Sequence, residues 1–292
     1  MSPDLCPDFG YYLGCPQWTQ SEWSSSIFPA RCSAHEALLH YARAFNTVEG
    51  NTTFYAWPSE STVAKWASQV GEGFRFFFKT PQEVTHERRL MGGALDLACR
   101  FIEHLAPLGA RRGPIFIQLP ASFTRQKLQV LYEFLRQLPR PGDYVVEVRD
   151  PELCYGAGLD EVNALLTEVH VERAWMDTRP LRAAPTPLSD ATQMAWDRKP
   201  NLPVYPIGLG PQPVVRYVAH PDVNANLVWV DQWAEVFARW MSEGRRPFFF
   251  AHYPGEVLAP QVAALFHDRL RTLLELPARP IWPSEAQRSL FD

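Results

Sequence analysis

The chain has 292 residues, a formal net charge of -4 and a pI near 6.1. Its 46% hydrophobic and 13% aromatic content excludes a disordered chain. The mild acidity excludes a surface coated in basic charge for nucleic acid, although a local cationic groove stays open.

No apolar stretch approaches the roughly 20 residues that a membrane helix needs. Residues 1–9 lack the basic and then apolar order of a secretory leader, and no tail anchor follows. Five cysteines, an odd number without a CxxC pair, read as reduced thiols and a cytoplasmic location.

In chain order, the first β-rich run is 11–14, followed by an apolar stripe of Ala34, Leu38, Tyr41 and Phe45 and a second run at 47–49. Pro58-Ser59 reads as a helix start, with Ser59 as cap and Val63, Trp66, Ala67 and Val70 as the apolar face. A third run covers 74–79. Leu90, Ala94, Leu97, Phe101 and Leu105 then lead to a run at 115–119. Thr124 stands where it would cap a helix carrying Leu128, Leu131, Leu135 and Leu138. Runs at 144–148 and 171–176 come next. The stretch 180–213 is rich in proline, with at most a short helix near 190–196, and reads equally as a binding loop or as decoration. After a run at 214–218, Asp231 precedes Trp233, Val236, Phe237 and Trp240. The last run, 248–251, is followed by a terminal helix of Val262, Leu265, Phe266 and Leu273.

Eight alternations of strand and helix, with continuously apolar strands, imply a parallel sheet covered on both faces. No GxGxxG follows the first strand, which removes the main support for a dinucleotide fold. The expectation is one domain over 1–292, a TIM-type (β/α)8 barrel with irregular loop additions. Its core would span about 10–275, with a tail at 276–292.

In such a barrel, chemistry sits at the carboxyl ends of the strands. Those ends supply Glu49 and Asn51, Lys79, His86, Gln118, Glu147 and Arg149, Asp177, Arg216 and His252. Glu49, Glu147, Asp177 and His86 are the catalytic candidates, as acids, bases or a proton shuttle. Asn51, Tyr55, Lys79, Gln118, Arg149, Arg216 and His252 are the candidates for holding a small anionic or sugar-like ligand. The same charges also suit a network of structural ion pairs. A divalent metal on His86, His252, Glu49, Glu147 and Asp177 is a second route, to phosphodiester hydrolysis, although no HExxH spacing is present and no cofactor is expected. A non-catalytic module binding nucleic acid or protein through its aromatic and cationic rim is the third. Trp18, Trp23, Phe28, Phe54, Tyr55 and Trp57 gather near the early strand ends, as packing or as a stacking wall.

These strand-end residues resemble the YecE-like family, also called domain of unknown function 72. The likeness rests on Gly14 to Trp18, Phe28-Pro29, Val48-Glu49-x-Asn51-x-Thr53-Phe54-Tyr55, Phe74-Arg75-Phe76 with Lys79, and Thr85-His86. It continues through Gln118-Leu119-Pro120, Glu147-Val148-Arg149, Asp177 and Arg216. The resemblance implies a TIM-type barrel and the location of a site, but no reaction. The chain departs from the family at Gln17, where glycine is usual, and after Arg216. It departs again at Phe250-Ala251-His252, where paired asparagines are typical.

Overall fold

Apolar runs bounded by loops become short parallel strands in a computed structural model that describes residues 6–24, 26–139, 143–283 and 285. The order begins β1 (Tyr12–Gly14), α1 (Ala37–Ala44), β2 (Thr47–Gly50), α2 (Glu60–Gln69), β3 (Arg75–Phe78), α3 (Ala94–His104) and β4 (Ile115–Gln118). It continues α4 (Leu128–Gln137), β5 (Tyr144–Glu147), α5 (Gly156–Glu168), β6 (Glu172–Asp177), α6 (Arg179–Arg182) and α7 (Asp190–Arg198). The last elements are β7 (Val214–Val218), α8 (Leu227–Ser242), β8 (Phe248–His252) and α9 (Ala259–Leu270).

Side-chain caps open two of the helices. Ser59 Oγ accepts from Thr62 N at 3.1 Å to open α2, and Ser189 Oγ accepts from Thr192 N at 3.3 Å to open α7. The Thr124 hydroxyl makes no cap bond. Its carbonyl accepts from Lys127 N at 2.9 Å, so a tight turn precedes α4. Asp231 lies inside α8 rather than before it, bonded to Arg269 at 2.5 Å. Helix α5 has no counterpart in the sequence reading. Of the expected tail, Trp282 is buried against Phe45, and residues 284 and 286–292 lie outside the described residues, as do residues 1–5 of the leader reading. Among the described residues no helix is long and apolar enough to cross a membrane.

The expected closed TIM-type (β/α)8 barrel is corrected by the strand pairing. All eight strands are parallel, but they form a six-stranded sheet in the order β1-β8-β7-β6-β5-β4 and a separate two-stranded sheet, β2-β3. The physical reason lies at the two seams. Along β1, Leu13 N donates to the Asn46 side-chain oxygen at 2.7 Å, and Asn46 Nδ2 donates to Tyr11 O at 2.7 Å. Cys15 N donates to the Tyr41 hydroxyl at 2.7 Å, which donates in turn to Thr47 O at 2.9 Å. Side chains thus occupy backbone groups that a ladder would need, and one bond, Glu49 N to Cys15 O at 3.0 Å, joins the two backbones there. Gly14 permits the approach, because a Cβ there would lie 2.0 Å from Thr47 O. Between β3 and β4 there are isolated bridges only, at Phe76 with Arg112 and at Lys79 with Phe116.

The two sheets meet through rings. Phe77 of β3 packs on Phe116 of β4 at 5.1 Å and on Phe248 and Phe250 of β8 at 5.6 and 4.9 Å. With Tyr12, Val145, Ala174 and Val214 these rings form an inner apolar cluster, while a larger one fills the space between strands and helices.

If Asn46 stands in for a ladder, Asn46→Ala leaves Leu13 N and Tyr11 O buried without partners and costs about 2–4 kcal/mol. Urea unfolding should show a lower midpoint at unchanged slope. An unchanged midpoint would mean that water replaces the amide without penalty.

Candidate functional site

Alternation along each strand decides which side chains reach the site. Five of the eight residues that form the inner cluster are followed, two positions on, by polar ones. Val145 is followed by Glu147, Val214 by Arg216, Phe116 by Gln118, Phe77 by Lys79 and Phe250 by His252. Five strand ends therefore set polar groups on an apolar floor.

Arg216 is the centre of this layer. Its guanidinium carbon lies 5.0 Å from the centroid of the Phe116 ring, and its side chain is buried. Nε and Nη2 donate to the two Glu49 oxygens, each at 2.7 Å, and Nη1 donates to Glu147 at 2.6 Å. The outer Glu147 oxygen accepts from Arg149 Nε at 2.7 Å, and Arg149 Nη2 donates to Gln118 at 2.8 Å. Asn51 Nδ2 donates to Glu49 at 2.8 Å, and His252 Nε2 lies 3.2 Å from the same carboxylate. The other ring nitrogen of His252 is buried without a hydrogen-bond partner, 3.6 Å from a Glu256 oxygen.

Charge and burial oppose each other here. Burial alone would raise both carboxylates, but Arg216 and then His252 hold Glu49 well below the usual carboxylate range. Arg216 and then Arg149 outweigh burial at Glu147 and hold it at about 2. Both remain ionised near neutrality, with all four oxygens occupied.

Above this layer opens a cavity of about 840 Å³. Lys79 lines it, with Nζ 3.5 Å from the centroid of the Phe54 ring. No hydrogen bond or ion pair to this ammonium is formed among the described residues. Burial, reinforced by Arg216 and Arg149, pushes the Lys79 amine down to about 7. His86 accompanies it, its Nδ1 2.8 Å from the Thr85 hydroxyl; burial and the Lys79 charge hold the imidazole down at about 4, hence neutral.

Of the expected site residues, Glu49, Asn51, Lys79, His86, Gln118, Glu147, Arg149, Arg216 and His252 come together, and Tyr55 stands exposed at the rim. Asp177 does not join them. It pairs in register with Tyr217, the outward neighbour of Arg216, so its carboxylate turns away. There it accepts from Trp233 Nε1 of α8 at 2.8 Å and from Arg179 Nη2 at 2.7 Å. Among the described residues no group of three His, Cys, Asp or Glu side chains is placed to hold a metal ion, so the ligand set suggested by residue type does not assemble.

Two cations escaped the sequence reading. Arg198 and Lys199, at the end of α7, line the cavity from the proline-rich stretch, together with Ala191, Met194 and Ala195. Burial, with Arg216 next, lowers the Lys199 amine. The stretch is therefore a wall of the site, seated through Ala195 and Trp196 on Met176, Leu181 and Val218. The available signal was its Lys-Pro ending, which marks a stop but not a direction.

The family model described as "Protein of unknown function DUF72" matches residues 12–287. UPF0759 protein YecE of Escherichia coli K12 is 36% identical over 283 residues, 96% of this chain and 99% of that protein. A solved DUF72 family protein from Enterococcus faecalis V583 superposes with a TM-score of 0.67 at 16% identity, covering 91% of this chain and 96% of that one. One from Thermotoga maritima MSB8 gives 0.64 at 18% identity, covering 91% and 99%. These likenesses to solved structures show the α/β fold alone.

The ion cluster makes an acid-sensitive prediction. Glu147 sits at about 2 when folded against an ordinary 4.5, so its contribution is present above pH 4.5 and is lost as pH falls toward 2. Glu147→Gln should cost about 3–5 kcal/mol at neutral pH by breaking a buried pair. Its stability should also fall less steeply through that acid window, as read by urea unfolding at a series of pH values. Parallel acid profiles for variant and parent would show that Glu147 does not carry the effect.

Proposed function

The chain belongs to the DUF72 family, as its strand-end residues implied, and we propose that it is an enzyme taking a small anionic substrate into the cavity above Arg216. The observation that carries this reading is the charge that the cavity presents. Lys79, Arg149, Arg198, Lys199 and Arg216 line it against a single lining carboxylate, Glu256, because Glu49 and Glu147 lie behind Arg216. Such a surface attracts a carboxylate or phosphate, and its arginines offer paired donors to either. The volume, about 840 Å³, falls within the range of small-molecule sites.

Within this reading the acid/base work expected of Glu49 and Glu147 passes to Lys79. A carboxylate whose oxygens are all bonded and whose proton affinity is depressed is a poor proton carrier at neutral pH. An amine at about 7 loses and regains its proton there with little driving force either way. The shuttle role expected of His86 weakens as well, since burial and the Lys79 charge hold it at about 4, and it offers the region a neutral hydrogen-bonding ring. Glu49 and Glu147 hold Arg216 in place, while Asn51, Gln118 and the exposed Tyr55 ring offer polar and stacking contacts to the uncharged part of a sugar-like substrate.

Thermal-shift titration with inorganic phosphate, small carboxylates and sugar phosphates, beside the matching neutral sugars, tests the reading. A ligand at about 100 times its Kd stabilises by roughly 2.7 kcal/mol. Lys199→Ala should weaken anion binding about tenfold or more. Affinity should fall as pH rises through about 7, where Lys79 loses its charge. Equal stabilisation by neutral sugars would sink the anion reading, and a response to single-stranded DNA alone would favour a nucleic-acid module. Lys79→Met removes a charge that burial disfavours, so the ligand-free variant should melt higher while losing the anion response.

A further inference from the structure

We propose that Lys79 is a covalent nucleophile, whose amine condenses with the carbonyl carbon of a substrate that also carries a carboxylate or phosphate. The proposal rests on the anion-binding reading above and names the substrate class for it. Four independent features of the chain and the site support it.

The first is composition. The chain holds 24 arginines and only four lysines, Lys65, Lys79, Lys127 and Lys199. Lys65 is exposed and lies 3.1 Å from His35, and Lys127 sits near the Phe123 ring on a helical turn. The remaining two line the cavity. At 24 of its 28 basic positions this chain uses arginine, so a lysine buried in the cavity stands out. An amine that sheds its proton and bonds to carbon has to be lysine, since guanidinium stays protonated.

The second is freedom. Lys79 Nζ makes no hydrogen bond or ion pair among the described residues, so no partner has to be displaced before attack. Its stem is nonetheless buried at the end of β3 and its head lies against the Phe54 ring, which confines its direction. The third is surroundings. Apolar walls and adjacent guanidinium groups are the means by which lysine nucleophiles are kept partly unprotonated. Arg216 and Arg149 are those neighbours. The fourth is the remaining cationic rim, Lys199 and Arg198, which would hold the substrate's anionic end while its carbonyl faces Lys79.

The step balances without any other reactant. The nitrogen lone pair forms the C–N bond as the carbonyl π pair moves onto oxygen. That oxygen takes two protons given up by the lysine ammonium and leaves as water. The resulting iminium keeps the single positive charge that the ammonium carried, and hydrolysis reverses the sequence.

The test treats the intact wild-type protein with pyruvate or dihydroxyacetone phosphate in the presence of sodium borohydride and locates the adduct by peptide mass mapping. Reduction leaves the mass of the carbonyl compound less one water plus two hydrogens on the modified lysine. The expected result is an adduct at Lys79, at least about tenfold more abundant than with neutral dihydroxyacetone, in keeping with the added grip on the anion. Lys79→Arg keeps the charge and should lose that adduct. The wild-type map needs no variant to fold. An adduct confined to the other three lysines or the amino terminus, spread evenly over all, or absent would overturn the proposal. Lactate and glycerol phosphate, anions without a carbonyl, run beside it in thermal shift. If they stabilise the protein while no adduct forms, the covalent step fails and anion binding stands. If neither occurs, both readings fail.

Discussion

A guanidinium buried among aromatic rings has to be matched by carboxylates, and that requirement organises the upper half of this molecule. Arg216 comes from β7 and Glu147 from β5, both in the six-stranded sheet, whereas Glu49 comes from β2 in the small one. The ion cluster therefore ties the two sheets together where backbone ladders do not. Such a cluster contributes less net stability than its short bonds suggest, because three groups leave water to form it. Its contribution is positional. Three strands are held at one relative height, and the cavity above them inherits a fixed pattern of charge.

Much of this was legible in the sequence. Continuous apolar runs located the eight strands, and polar residues at or near the ends of several runs pointed to one rim, where Glu49, Lys79, Gln118, Glu147 and Arg216 do lie together. What failed was whatever depended on side and seam. Asp177 sits one residue past an inward position, and a run apolar on both faces does not reveal its alternation, so the outward turn toward Trp233 was hidden. Closure of the strands was hidden for another reason. Asn46 and Tyr41, a loop residue and a member of a helical stripe, give their side chains to β1, and nothing in their spacing announces it.

The roles of the acidic residues followed the same division. Residue type made Glu49 and Glu147 look like proton carriers, but their partners make them anchors. Lysine looked like one more anion holder, yet Lys79 lies against the Phe54 ring and has no acceptor among the described residues. Sequence supplies the inventory of charge, and only packing says which charges are already satisfied. For a family described by unknown function, the unsatisfied ones are where chemistry is to be sought.

Helix α7 is seated on the strand ends through Ala195 and Trp196, which pack against Met176 of β6, Leu181 and Val218 of β7. The wall bearing Met194, Arg198 and Lys199 is therefore tied to the register of β6 and β7 beneath it. A change in the length of that stretch would therefore be felt at the ends of two strands as well as along the cavity wall.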